Sequence, residues 1–204
     1  MHWFITGKWS IPRGAHSVRA GLLALLLGLP GLPAGSSVGD PDRDLVVQVK
    51  QSGGLITIEV SMHVDVPQVE VWNVLTDFDR MAQIVSNLES SRIVSRQGNR
   101  LVVEQRGSET HGLIKVAFHS MRNVELKPHG EMHSTLITGS MLRLDGVTRL
   151  ATFGSGTRVT SFGELVPQTW LPPVVGTHFL EKATRKQYVE MRDEMIRRNR
   201  APSS

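Results

Sequence analysis

Residues 66–88 read VPQVEVWNVLTDFDRMAQIVSNL, and this stretch decides the fold. Pro67 has φ preset near the helical value and no N–H to lose, so a helix is expected to begin there. Val71, Trp72, Val74 and Leu75 recur at three- and four-residue spacing and form one apolar face, leaving Gln68, Glu70 and Asn73 outward. Asp77 and Asp79 flank Phe78 and break the pattern, and Met81, Ile84, Val85 and Leu88 begin a second amphipathic turn. A strand pattern runs into this helical pair and a long series of strands runs out of it. The pair is therefore expected at the edge of a sheet, closing one end of it.

Upstream, Leu45–Lys50 and Leu55–Asp65 read as strands joined across Ser52-Gly53-Gly54. In the second, Ile56, Ile58, Val60, Met62 and Val64 alternate with polar residues, His63 among them, so one face is buried and the other wet. Downstream, strands are expected at Ser90–Arg96, Arg100–Glu109, Leu113–Lys127, Met132–Thr138, Met141–Phe153 and Thr157–Val166. The links between them are short, which makes an antiparallel meander. From Val174 to about Arg198 the period becomes helical, with Phe179, Leu180, Ala183, Tyr188, Met191 and Met195 as the apolar positions. A sheet with an open apolar face needs a cover, and this helix is long enough to be one.

The first forty residues carry Lys8, Arg13 and Arg19 and no acidic residue before Asp40. The run GLLALLLGL from Gly21 to Leu29 follows, then Pro30, Pro33 and small residues. The run is too short to span a bilayer, which takes about 20 residues. Residues 1–36 read as a secretory signal peptide cleaved between Ala34 and Ser37, with an uncleaved N-terminal anchor as the alternative. Residues 37–44 form a linker and 45–200 one domain, periplasmic or extracellular. Without the three leader cations, 20 basic residues face 19 acidic ones, a net of +1, and aromatics make up only 5%. Such a balance gives no basic stripe for nucleic acid. There is no cysteine, which excludes disulfides, thiolate metal sites and a thiol nucleophile.

Several segments together resemble the START-like (SRPBCC) superfamily, in the branch of polyketide cyclases and coenzyme Q-binding proteins. They are Val66-Pro67, Val71-Trp72, Leu75-Thr76-Asp77-Phe78-Asp79, Asn87-Leu88, Ser91-Arg92, Val102-Val103-Glu104-Gln105, Gly156-Thr157-Arg158-Val159-Thr160 and Leu171-Pro172-Pro173. The resemblance implies an α+β helix-grip (Bet v 1-like) fold: a curved antiparallel sheet around a long C-terminal helix, with two short helices after the first core strand. It also implies a hydrophobic small molecule or lipid as partner and no cofactor. The basic-acidic mix on the last helix, Glu181, Lys182, Arg185, Lys186 and Glu190 among it, could give transient contact with an anionic membrane surface, although a solvated helix face stabilised by i,i+4 pairs is the simpler explanation. Relatives often carry a proline and an aromatic near Val85 and Ser86, and a tryptophan at Thr148, which this chain lacks.

Pairing parity maps the inside. With Val103 opposite Phe118, residues Leu101, Val103, Gln105 and Gly107 share a face with Val116, Phe118, Ser120 and Arg122. The same alternation groups Leu142, Leu144, Gly146, Thr148 and Leu150, and likewise Val159, Ser161, Gly163 and Leu165. Together with Phe179, these place a mainly apolar space under the helix, because the glycines, serines and Thr148 are too small to fill it. The competing account is that the glycines mark bulges and tight curvature in a strongly bent sheet, and both can hold at once. Arg122 is the inward residue suited to hold a carboxylate, phosphate or quinone oxygen, with Gln105 as a weaker partner for a head group. A bulge of one residue would turn Arg122 outward. His111, His119, His129, His133 and His178 show no metal-ligand spacing. Glu104 falls outward and Arg122 is too basic to serve as a base, so binding is favoured over turnover, with a cyclase or aromatase as the alternative.

Overall fold

The computed structural model describes residues 44–111, 114–168 and 173–201. Strands β1 (Leu45–Ser52) and β2 (Leu55–Val64) lead into α1 (Gln68–Leu75), a 3-10 turn (Phe78–Arg80) and α2 (Met81–Ile84). Six strands follow: β3 (Leu88–Gln97), β4 (Arg100–His111), β5 (Ile114–Lys127), β6 (Glu131–Gly139), β7 (Met141–Phe153) and β8 (Gly156–Pro167). Helix α3 (Pro173–Arg200) ends the domain. The expected leader and linker lie outside the described residues, apart from Asp44. The order is β1-β2-β8-β7-β6-β5-β4-β3 with every neighbour antiparallel. The chain is thus a meander closed by the pairing of β2 with β8. This is the helix-grip architecture.

Helix α1 begins one residue later than expected. Pro67 is extended (φ −56°, ψ 144°) and caps the helix, its carbonyl accepting from Glu70 and Val71. Val71, Trp72, Val74 and Leu75 are all buried. The two aspartates that interrupt the apolar pattern are structural ties. Asp77 accepts from Arg198 of α3 at 2.8 Å and from Arg80 at 2.9 Å. Asp79 accepts the backbone N–H of Ile93 at 2.7 Å, beside the bulge in β3.

The expected strand parity survives a register error. Val103 stands opposite Arg122, and Phe118 opposite Gly107, because the β4–β5 ladder runs on to His111 and Ile114. The slide is by an even number, so each side chain keeps its face. Two bulges further along change the picture locally. Between β5 and β6 the extra residue is Ile137, which leaves Arg122 on the inner face. Between β7 and β8 it is Leu142, which is exposed at 69% and does not join the inner residues as parity implied.

Helix α3 runs closest to β1, β2, α1 and α2. Arg185 donates to the carbonyl of Leu45 on β1 at 3.0 Å. On the other flank Glu190 accepts from the Ser86 backbone and hydroxyl, and Gln187 donates to Asn87 at 3.1 Å, just before β3. One helix is therefore bonded to the edge strand β1 and to the segment that enters the other edge strand, β3.

Gly107 has a different reason from the open space assigned to it. A Cβ there would lie 2.1 Å from the Asn87 carbonyl oxygen and 2.6 Å from Phe118. The chain entering β3 crosses directly over it. Gly107→Ala is expected to destabilise the domain by about 1–3 kcal/mol or more, whereas Gly54→Ala, with nothing within 4 Å, stays within about 0.5 kcal/mol. Urea denaturation of the two variants checks this.

Candidate functional site

The inner face of the sheet divides into two regions. Toward α1, Leu101, Val103, Leu150 and Val159 are at most 8% exposed and join Met62, Trp72 and Met195 in one closed core. These four residues, expected to line the cavity, pack against their neighbours in that core. Toward the N-terminal end of α3, the inner residues Gln105, Phe118, Ser120, Thr148 and Ser161 are only half-buried, as are Gly146 and Gly163, while Arg122 is partly exposed as a residue but has its Nε buried. A Cβ on either glycine would meet nothing nearer than 3.5 Å. Phe179 on α3 is also half-buried. Water therefore reaches inward-pointing residues here, although they lie beneath the helix side of the sheet.

Arg122 is the most unusual of these groups. One guanidinium nitrogen donates to Ser134 at 3.2 Å and another to the Gln105 side-chain oxygen. Its Nε is buried without a partner. Gln105 in turn donates to Ser91 at 3.0 Å, which fixes the amide so that its oxygen faces the arginine. Among the described residues no carboxylate pairs with Arg122. Burial pushes its pKa down to about 10, which leaves it a cation at neutral pH. A buried charge held only by neutral dipoles is costly, and an unpaired nitrogen on it adds to that cost.

A second polar group reaches in from α3. Tyr188 donates to Ser161 at 2.6 Å, and Ser161 shares a hydrogen bond of 2.9 Å with Thr148. Burial raises the pKa of the phenol against the opposing pull of Ser161 and Thr148, so it stays protonated. Tyr188 appeared in the sequence only as an apolar helical position. Nothing in the spacing of a lone tyrosine marks the two hydroxyls it meets across the sheet.

Charged groups on the outer face settle among themselves. Glu104 points outward as expected, but Arg92, Arg106 and His119 cover it and it is 5% exposed. Hydrogen bonds from Arg92, Arg106 and His119 hold its pKa down to about 2 against the opposing effect of desolvation. Glu131 is held at about 2 in the same way by Lys127, His133 and Arg149. His119 sits beside Glu104 and opposite Arg106. His63 lies edge-on to Phe153 at 5.3 Å, and His129 is the left-handed residue of the β5–β6 turn. Among the described residues no group of histidines and carboxylates is arranged to hold a metal.

A curved sheet closed on a long helix is the START-like, helix-grip fold. The chain belongs to the polyketide cyclase / dehydrase and lipid transport family, which it matches over residues 64–192. Among solved structures, an aromatase/cyclase, Zhui from Streptomyces sp. R1128, superposes with a TM-score of 0.61 at 20% identity, covering 74% of this chain and 99% of that one. A STAR-related lipid transfer protein from Xanthomonas axonopodis gives 0.57 at 11% identity, with coverages of 75% and 99%. A START superfamily protein from Mycobacterium smegmatis gives 0.58 at 10% identity, with coverages of 69% and 97%. At these identities the likeness is one of fold. No curated protein matches the sequence.

Glu104, Glu131 and Glu194 each have a folded pKa near 2 against an ordinary value of 4.5. Lowered carboxylates contribute stability that is fully present above the ordinary value and is lost as pH falls through the folded one. The urea midpoint should be flat above about pH 5 and fall steadily toward about pH 2, and Glu104→Gln should make that fall shallower. Arg122→Met removes a buried cation, so the ligand-free domain should be equally stable or gain on the order of 1 kcal/mol. A loss of more than about 2 kcal/mol in the same assay would make Arg122 a structural group instead.

Proposed function

We propose that the domain binds a hydrophobic small molecule between the inner face of the sheet and α3, acting as a carrier after export past its leader. The ligand class is a lipid, isoprenoid quinone or polyketide-like aromatic with one oxygen-bearing head. The observation that carries this is Arg122: a buried cation with a free Nε, no carboxylate partner among the described residues, and half-buried small side chains around it. A carbonyl, carboxylate or phosphate oxygen would satisfy the nitrogen, and an apolar body would cover the inner residues that water now reaches. The family's association with lipid transport and the lipid-transfer neighbour support the same reading.

The contact of Tyr188 with Ser161 and Thr148 favours a second reading, cyclase or aromatase chemistry. A phenol that keeps its proton can hydrogen-bond a carbonyl oxygen as negative charge develops on it. The aromatase/cyclase neighbour has the same fold.

Protein purified from its own envelope is extracted with organic solvent and weighed intact under native conditions. The carrier reading predicts a bound apolar molecule that is present with the native chain and lost or much reduced with Arg122→Leu. A clean protein that also takes up no apolar probe would contradict it. Turnover of a cyclisable polyketone, lost in Tyr188→Phe while probe binding persists, would establish the enzyme in its place.

A further inference from the structure

The β6–β7 hairpin is unzipped at its tip. Its ladder runs from Glu131↔Arg149 to Thr135↔Asp145 and stops, although both strands continue to Gly139 and from Met141. Residues 136–139 stay paired to β5 and residues 141–144 to β8. Each side carries a bulge in this interval, and the extra residues are Ile137, 46% exposed, and Leu142, 69% exposed. Bulges re-aim side chains, and here two large apolar ones are displaced into solvent within six residues of chain. Val116, at the β5 end of the inner face, is exposed at 43% on the same end of the domain. The charged neighbours are already balanced, Arg143 by Asp145 and Glu164, and Lys115 by Glu89.

We propose that this unzipped tip is a docking surface for a lipid bilayer, with Ile137 and Leu142 as the inserting residues. The inference rests on the carrier reading, because the tip lies at the end of the domain where the inner face is half-buried. A stable protein partner needs about 800 Å² from each side, far more than two or three side chains present. Shallow insertion of a few apolar side chains is enough for reversible binding at a membrane interface, where affinity scales with buried apolar area. With nearby charges paired, the surface suits zwitterionic lipid and needs no anionic headgroup.

The chain has no cysteine, so single reporters can be placed cleanly. Full-length Ile137→Cys, Leu142→Cys and, as control at the opposite end, Val94→Cys are labelled with an environment-sensitive fluorophore and mixed with phosphatidylcholine vesicles. Positions 137 and 142 should blue-shift with a several-fold rise in emission, unchanged in molar salt, while position 94 should not respond. The apolar leader can tether the full chain by itself, and a tether alone leaves the label at 142 in water. No shift at 137 and 142, or equal shifts at all three positions, overturns the proposal. Uptake of a fluorescent fatty acid without vesicles is read separately on the native chain. Its failure would count against the carrier reading and leave the vesicle result unaffected.

Discussion

One helix spans one sheet from an edge strand to the entry of the opposite edge, and the rest of the molecule follows from that. Eight strands about 4.8 Å apart would make a flat sheet nearly 40 Å wide, while a helix with its side chains is about 10–12 Å across. Helix α3 can cover such a sheet only if the sheet curls around it. Arg185 ties it to β1, and Gln187 and Glu190 tie it to the turn that leads into β3, so the same helix is bonded to one edge strand and to the entry of the other. Arg198 on Asp77 fixes the far end of α3 to the junction after α1.

The closure is uneven along its length. Near α1 the side chains are large and interlock, and Met62, Val103, Val159 and Met195 are fully covered. Toward the start of α3 the inner face carries serines, glycines and a threonine, and the helix lies nearer β1 than the middle strands. Close packing would need larger side chains at those positions. In their place stand an arginine that no carboxylate among the described residues pairs with and a tyrosine that donates to Ser161, itself bonded to Thr148. Such groups weaken an apo core, and their presence is understandable where a ligand completes it.

Much of the fold was legible because it is periodic. The spacing of Val71, Trp72, Val74 and Leu75 and the alternation along β2 both describe buried faces that exist as read. The inward set along β4 and β5 was correct even though the pairing was displaced, since an even slide leaves parity intact. What escaped was everything set by a single distant contact. Gly107 looked like unfilled space and is a crossing point for the chain at Asn87. Leu142 looked inward until a bulge turned it out. Asp77 and Glu104 gain their roles from arginines elsewhere in the chain, and such pairs leave no mark in local spacing. In the site, Arg122 could be singled out by parity, whereas Tyr188 could not.

The central claim is that the inner face around Arg122 takes up an apolar molecule while the core beside α1 remains closed. Amide and methyl NMR during titration with a medium-chain fatty acid tests it most directly. The account predicts shifts concentrated at Phe118, Ser120, Arg122, Gly146 and Ser161, with Val159 and Met195 nearly still. Shifts confined to the outer face, or none at saturating fatty acid, would contradict it.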